Sequence, residues 1–228
     1  MLNGKKVVAL LPIKANSERV KGKNFRMLSG KPLFKWILDT LLSINEIDQV
    51  VINTDARHLF EECGLVEHER LLLRDRKKEI QGDSVSMNLV LEDDINSIPA
   101  DIYLMTHATN PLLGEKTIRN ALNRFVVSNQ NDSLFSVNRV QTRFYRDDMS
   151  PVNHDPDNLI PTQDLEPWYK ENSCLYIFTS ESFGKTKARI GENPLMLETP
   201  WLESVDIDEE NDWVMAEALV EKLYGAEE

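Results

Sequence analysis

The sequence predicts an α/β fold, a Rossmann-like three-layer arrangement built on a mostly parallel sheet. Three observations carry that prediction. Short, nearly unbroken apolar runs recur along the chain, as at Val7–Ile13, Val50–Ile52 and Ile102–Met105. Segments of helical periodicity alternate with them. Strands buried on both faces lose the polar alternation of a solvated sheet, so such runs between helices mark a parallel sheet covered on each side. The 228 residues offer ample chain for a core, and residues 1–228 are read as one domain.

The elements follow in order. Val7–Ile13 is the first strand, and it opens onto the loop Lys14–Asn24. Leu33–Leu42 has a broad apolar face at helical spacing. Asp48–Asp55 is a second strand, Ala56–Cys63 a short helix, and Gly64 a stop of the kind that ends helices. Leu71–Leu73 is a third strand, followed by a charged connection to Asp83 and a helix over Ser84–Ile95. Ile102–Thr106 is a strand, Glu115–Val127 a helix, and Ser133–Val137 a strand. Between Gln141 and Glu171 the pattern breaks, with Pro151, Pro156, Pro161 and Pro167 among aspartates and asparagines. An irregular stretch of this length is a functional lid, an arm reaching a partner, or a linker. Phe144, Tyr145, Ile160, Trp168 and Tyr169 give it apolar anchors, which argues against a disordered linker. Strands at Cys174–Phe178 and Trp201–Asp208 and a helix over Glu210–Tyr224 close the chain.

Composition excludes several classes. Hydrophobic residues at 41% and charged residues at 28% describe a soluble globular chain. A net charge of −12 argues against general nucleic-acid binding but permits a local basic pocket. No apolar run approaches the roughly 18 residues of a membrane span, and the first residues read as a strand and not as a signal peptide. Cys63 and Cys174 have no metal-binding spacing, and are expected as reduced core residues of a cytoplasmic protein.

Sheets of this type bind ligands beyond the carboxyl ends of their strands. The groups to collect are therefore Lys14–Asn24, Asp55, Arg74, His107–Pro111, Asn172, Asp206 and Asp208. The loop after the first strand carries Lys14, Arg19, Lys21 and Lys23, with Arg26 close by, around the small residues Ala15, Asn16, Ser17 and Gly22. It suits a polyphosphate, or it is a solvated cationic rim. Neither GxxxxGK[ST] nor GxGxxG is present. In an extended Asp206-Ile207-Asp208 both carboxylates share a face, as needed to hold Mg²⁺ together with phosphate oxygens. Alternatively, Asp208 only caps the last helix. His107 is a general base or a plain hydrogen-bonding group in its turn.

The order of residues in Lys14–Asn24, KANSERVKGKN, resembles the N-terminal signature of the acylneuraminate cytidylyltransferases, the CMP-sialic acid synthetase family. Ser17, Lys23 and Asn24 match, while Lys14 stands at an Arg position and Glu18-Arg19 replaces Lys-Gly. Ser204–Asp208 is similar to the family's S-x-D-I-D segment. Thr106–Leu113 resembles its Gln-Pro-Thr-Ser-Pro-Leu-Arg turn, with His107 in place of Gln and Leu113 in place of Arg. Lys170–Ile177 resembles its Arg-x-Asn-Gly-x-x-Tyr-Ile strand, and Asp83–Ser86 its Asp-Thr-x-Ser.

This resemblance implies a cytidylyltransferase that joins CMP from CTP to a 2-keto-3-deoxy sugar acid, a sialic or related nonulosonic acid, and releases pyrophosphate. It implies Lys14, Lys23 and Asp208 as catalytic residues and Mg²⁺ held by Asp206 and Asp208. Lys14, Ala15, Ser17, Lys23, Asn24, Arg74 and Ser84 are then expected around the nucleotide, and His107, Asn172 and Lys170 around the sugar. Arg143 or Arg146 is expected to reach the sugar carboxylate from the irregular arm, across a homodimer made through that arm. The setting implied is cytoplasmic. Two alternatives stay open: a related enzyme acting on an octulosonic acid or a sugar phosphate, and a non-catalytic nucleotide-binding relative.

Overall fold

The computed structural model describes residues 1–17 and 19–225. Glu18, one of the departures from the signature loop, lies outside them. Strand β1 (Val7–Leu10) leads through the basic loop to a small hairpin, β2 (Met27–Leu28) and β3 (Lys31–Pro32), and to α1 (Leu33–Ser43). β4 (Gln49–Thr54), α2 (Arg57–Glu62), β5 (Leu71–Asp75), α3 (Met87–Ser97), β6 (Ile102–Thr106) and α4 (Glu115–Val127) follow. β7 (Ser133–Val140), β8 (Trp168–Phe178), α5 (Ser180–Thr186), β9 (Pro194–Glu198) and α6 (Glu210–Tyr224) complete the order.

The main sheet has seven strands in the order β5-β4-β1-β6-β8-β7-β9. All neighbours run parallel except β8, which is antiparallel to both β6 and β7. Alternation at period two sorts the side chains into two layers. Val7, Ala9, Val50, Ile52, Ile102 and Leu104 pack with Phe34, Ile37 and Leu38 of α1, Phe60 of α2 and Ile118 and Leu122 of α4. Val8, Leu10, Val51, Tyr103 and Met105 pack on the other face with Leu91 of α3 and Phe183 of α5. The three-layer α/β expectation therefore holds, and its cause is visible strand by strand. A third cluster joins Trp213, Ala216 and Val220 of α6 to Val20, Leu28, Leu33 and Ile207. It seats the last helix against the basic loop.

Several local expectations need correction. The strand expected over Trp201–Asp208 is a 3-10 turn at Trp201–Ser204 followed by extended chain. Pro200 opens the turn, and the extended part runs beside the β6 loop, where Ile207 N–H donates to Thr109 O at 2.9 Å. The edge strand is instead β9, in parallel register with β7 from Ser133↔Pro194 to Val137↔Glu198. Helix α3 starts at Met87 because the Ser86 side chain caps it, accepting from Asn88 N–H at 3.3 Å. Cys63 is exposed at the end of α2, whereas Cys174 is buried, and both are free thiols.

The irregular segment is partly strand. β7 pairs with β8 from Val137↔Glu171 out to Val140↔Trp168, past the residues that pair with β6 and β9. The hairpin thus leaves the sheet as a two-stranded ribbon, with residues 141–167 as its tip. Phe144 stacks on Trp168 at 5.3 Å between ring centroids. Met149, Leu159, Ile160 and Tyr169 remain exposed.

Candidate active site

The carboxyl ends of β1 and β6 open on a cleft of about 440 Å³. The basic loop forms one wall because its sequence makes a tight return. Gly22 sits at φ +61°, a conformation costly for any residue with a Cβ, and Phe25 N–H donates to Gly22 O at 3.0 Å. Asn24 Nδ2 donates to Lys14 O at 2.9 Å and closes the loop on itself. Ala15 N–H donates to Asp55 Oδ1 at 2.8 Å and ties it to the end of β4.

Opposite this wall lies the segment before α6. Lys23 Nζ donates to Ile207 O at 2.6 Å and Asp208 Oδ1 at 3.1 Å, and Arg19 Nη2 lies 2.8 Å from the same carboxylate oxygen. Burial raises the Asp208 pKa, but the Lys23 hydrogen bond and the Lys23 and Arg19 charges outweigh it and hold Asp208 below the usual carboxylate range. Burial pushes Asp206 up, helped by the neighbouring Asp208 charge and opposed by Thr109 and Lys23. Its Oδ1 is sealed from solvent without a partner. Asp208 does not cap the helix. Glu209 is the N-cap residue, and Asp212 Oδ2 reaches back from the first turn to accept from Asp208 N–H at 3.0 Å and Glu209 N–H at 2.8 Å. Both Asp206 and Asp208 line the cleft.

These residues fit Mg²⁺. Among the described residues, no three His, Cys, Asp or Glu side chains converge into a closed metal cage. Two carboxylates, one with an unpartnered buried oxygen, are the protein share expected where phosphate and water oxygens complete an octahedron.

Lys14, Ser17, Lys23, Asn24, His107, Asp206 and Asp208 all line the cleft, and Ala15 contributes its backbone nearby. Five expected residues do not. Arg74 is on β5, where its guanidinium pairs with Asp94 and, at 3.0 Å, with Asp93 of α3. The cleft arginine is Arg76, one residue past the strand end, donating to Asn53 Oδ1 at 2.9 Å and Asn53 O at 2.8 Å. Ser84 is exposed, and its neighbour Asp83 lines the cleft instead, paired with Lys14. Asn172 is in the core, held by Ser136 at 2.6 Å and Thr199 at 2.6 Å. Lys170 is exposed on the ribbon, and Arg143 donates to Ile160 O at 2.6 Å within the arm. Arg74 and Arg76 are two apart and share strand parity, so alternation alone does not separate them; what does is that Arg76 lies past the end of β5. Arg189, also in the lining, carries no local signal, whereas Ser173 stands at the Gly position of the Arg-x-Asn-Gly strand.

A buried relay explains the two arginines. Asn53 Nδ2 donates to Asp94 Oδ1 at 2.8 Å, so Arg74 fixes Asp94, Asp94 fixes Asn53, and Asn53 fixes Arg76. Burial raises Asp94 to about 6 against the pull of Asn53 and Arg74. Arg74→Ala is expected to strand this carboxylate and cost about 3 kcal/mol of stability, read as a lower denaturation midpoint. Arg76→Ala should instead raise the KM for nucleotide about tenfold or more with a smaller stability change. Equal stability losses in the two variants would refute the division of labour.

His107 is half-buried, with Nε2 sealed and unpartnered. Burial, then the charges of Arg189 and Lys23, lower its pKa from 6.5 to about 4. The folded protein therefore refuses a proton that the unfolded chain accepts. The stability this gives is complete above pH 6.5 and is lost as pH falls toward about 4. An NMR titration of the metal-free protein should place the His107 midpoint near 4; a midpoint near 6.5 would contradict this environment.

A family model described as Cytidylyltransferase matches residues 8–203. The CMP-N,N′-diacetyllegionaminic acid synthase of Legionella pneumophila is 27% identical over 229 residues, covering 95% of this chain and 97% of that protein. A pseudaminic acid cytidylyltransferase of Campylobacter jejuni is 24% identical over 189 residues, covering 78% and 80%. Among solved structures, a CMP:2-keto-3-deoxy-manno-octonic acid synthetase complexed with CTP superposes with a TM-score of 0.67 at 14% identity, covering 95% of this chain and 99% of that one. At that identity the likeness speaks for the fold alone.

Proposed function

The chain belongs to the cytidylyltransferase family, and from that premise we propose that it transfers CMP from CTP to the anomeric hydroxyl of a 2-keto-3-deoxy nonulosonic acid. One observation carries the reading. The basic loop after β1 and the carboxylates of Asp206 and Asp208 face one cleft and are joined through Lys23. Cations for a triphosphate and carboxylates for its metal thus share a site. The relatives named above, a legionaminic and a pseudaminic acid enzyme, support a nonulosonic acid as acceptor.

Nucleotidyl transfer needs charge neutralisation, a positioned nucleophile and in-line geometry. Lys14, Arg19, Lys23 and Arg76 neutralise the triphosphate, with Ser17 and Asn24 at the loop wall. Asp206 and Asp208 would hold Mg²⁺, which would supply Lewis acidity toward phosphate oxygens. The anomeric oxygen bonds to the α-phosphorus, the bond from that phosphorus to the bridging oxygen breaks, pyrophosphate leaves, and the hydroxyl proton passes to water. Neutral His107, too weak a base to retain that proton at neutral pH, serves as a hydrogen-bond partner in the acceptor half.

A second copy of the chain is the proposed occupant of the exposed apolar surface on the arm, giving a homodimer. With CTP as donor, the reaction belongs to the cytoplasm. Among the described residues, no helix is long and apolar enough to cross a membrane.

The test is pyrophosphate release from each nucleoside triphosphate with Mg²⁺ across sugar acids and sugar phosphates. Release confined to CTP with a nonulosonic acid is expected. Release with CTP and an octulosonic acid or a sugar phosphate would keep the donor site and overturn the acceptor. CTP binding without turnover of any acid would favour a non-catalytic relative.

A further inference from the structure

We propose that Arg189 is the anchor for the acceptor's carboxylate, an assignment that rests on the CMP transfer proposed above. Arg189 lies in the connection between α5 and β9, far in sequence from every motif already placed. Its guanidinium carbon stacks 3.9 Å above the Tyr176 ring, and Nη1 lies 3.8 Å from Met105 Sδ. Tyr176 is itself locked, its hydroxyl donating to Glu171 and lying 3.2 Å from Ser173 Oγ. Stacking therefore holds the plane of the cation while leaving its N–H edges available, the arrangement that favours bidentate capture of a carboxylate.

The other cations of the cleft are engaged. Lys14 pairs with Asp83, Arg19 and Lys23 with Asp208, and Arg76 is held by Asn53. Among the described residues, the carboxylate near Arg189 is Glu171 at 3.8 Å, beyond hydrogen-bonding distance. Strand order separates the roles. Arg76 and the basic loop belong to the β5-β4-β1 side of the sheet, whereas Met105 and Tyr176 place Arg189 over β6 and β8. His107, just past the end of β6, lies on this same side.

Ser173 holds φ +59° where the β7–β8 register shifts, a left-handed conformation that strains a residue with a Cβ, and it lines the cleft while its neighbour Asn172 turns into the core. In a cyclic 2-keto sugar acid the carboxylate is bonded to the carbon that carries the nucleophilic hydroxyl. Anchoring it on Arg189 fixes that hydroxyl one carbon away and keeps the acid's charge apart from the triphosphate.

The test uses the full-length protein, CTP with Mg²⁺, and two acceptors: a nonulosonic acid turned over by the wild type, and its carboxyl methyl ester. For Arg189→Gln, acceptor KM should rise at least tenfold with CTP KM within about twofold. Wild type should prefer acid to ester, and the variant should lose most of that preference. Arg189→Lys, which keeps the charge without the fork, should fall between the two. An unchanged preference in a folded, active Arg189→Gln overturns the anchor and leaves CMP transfer standing. A CTP KM that rises as much as the acceptor KM also overturns it. Failure of the wild type with every acid overturns both.

Discussion

Asp206→Asn is expected to abolish turnover and at the same time to raise the melting temperature of the metal-free protein. The two effects have one cause. Asp206 is a buried carboxylate whose Oδ1 has no partner, beside a second carboxylate, and burial already pushes its pKa up. A polar atom left unsatisfied in such a place costs about 1–3 kcal/mol. An amide removes the charge at nearly constant volume, so the metal-free variant should gain a few degrees, about 2–4 °C per kcal/mol for a chain of this size. Mg²⁺ should raise the melting temperature of the wild type, because binding to the folded state alone stabilises it, and should do so far less for the variant. Losing a charged partner of the transferring phosphoryl group is expected to lower kcat by about 10²–10³ or more. Equal stabilisation of both proteins by Mg²⁺, or retained turnover, would remove Asp206 from the metal site.

Lys23→Met is the second large effect. The Lys23 ammonium is nearly sealed, with 11% side-chain exposure, and it bridges the basic loop to Ile207 O and Asp208. Methionine keeps the apolar stem and removes the charge. Loss of hydrogen bonds from a charged group costs about 1.5–3 kcal/mol, moderated here because Arg19 still pairs with Asp208 at 2.8 Å. Activity should suffer more than stability. kcat/KM for CTP should fall by about 10²–10³, since the variant loses both a phosphate cation and the tie that holds the carboxylates to the loop. A folded variant within tenfold of wild type would show that Lys23 is a structural strut and not part of the catalytic set.

Much of the fold was legible because its signals are local. Val7 and Ala9 turn to one helical layer and Val8 and Leu10 to the other, so an apolar run at β1 already states that both faces are covered. β6, α4 and α6 fall at Ile102–Thr106, Glu115–Val127 and Glu210–Tyr224, as their periodicity indicates. β9 was missed because PLMLE is short and four of its five residues are not buried, so burial leaves no run to read. The ribbon from Val137 to Val140 was cut short because its partner lies beyond a proline-rich tip.

The site divides in the same way. The basic loop and Asp206-Ile207-Asp208 were readable because each packs its chemistry into consecutive residues. What only the tertiary structure decided is which distant groups meet. Arg74 and Arg76 differ by two residues, yet one locks a buried aspartate and the other lines the cleft, because β5 ends between them. Asn172 keeps a motif position but spends its amide on Ser136 and Thr199. Arg189 reaches the cleft only because Tyr176 and Met105, from two adjacent strands, give it a surface to lie on. Periodicity and turn chemistry are properties of neighbours in the chain. Whether a charge is paired or left available depends on contacts across the sheet, and the sequence of any one segment does not contain them.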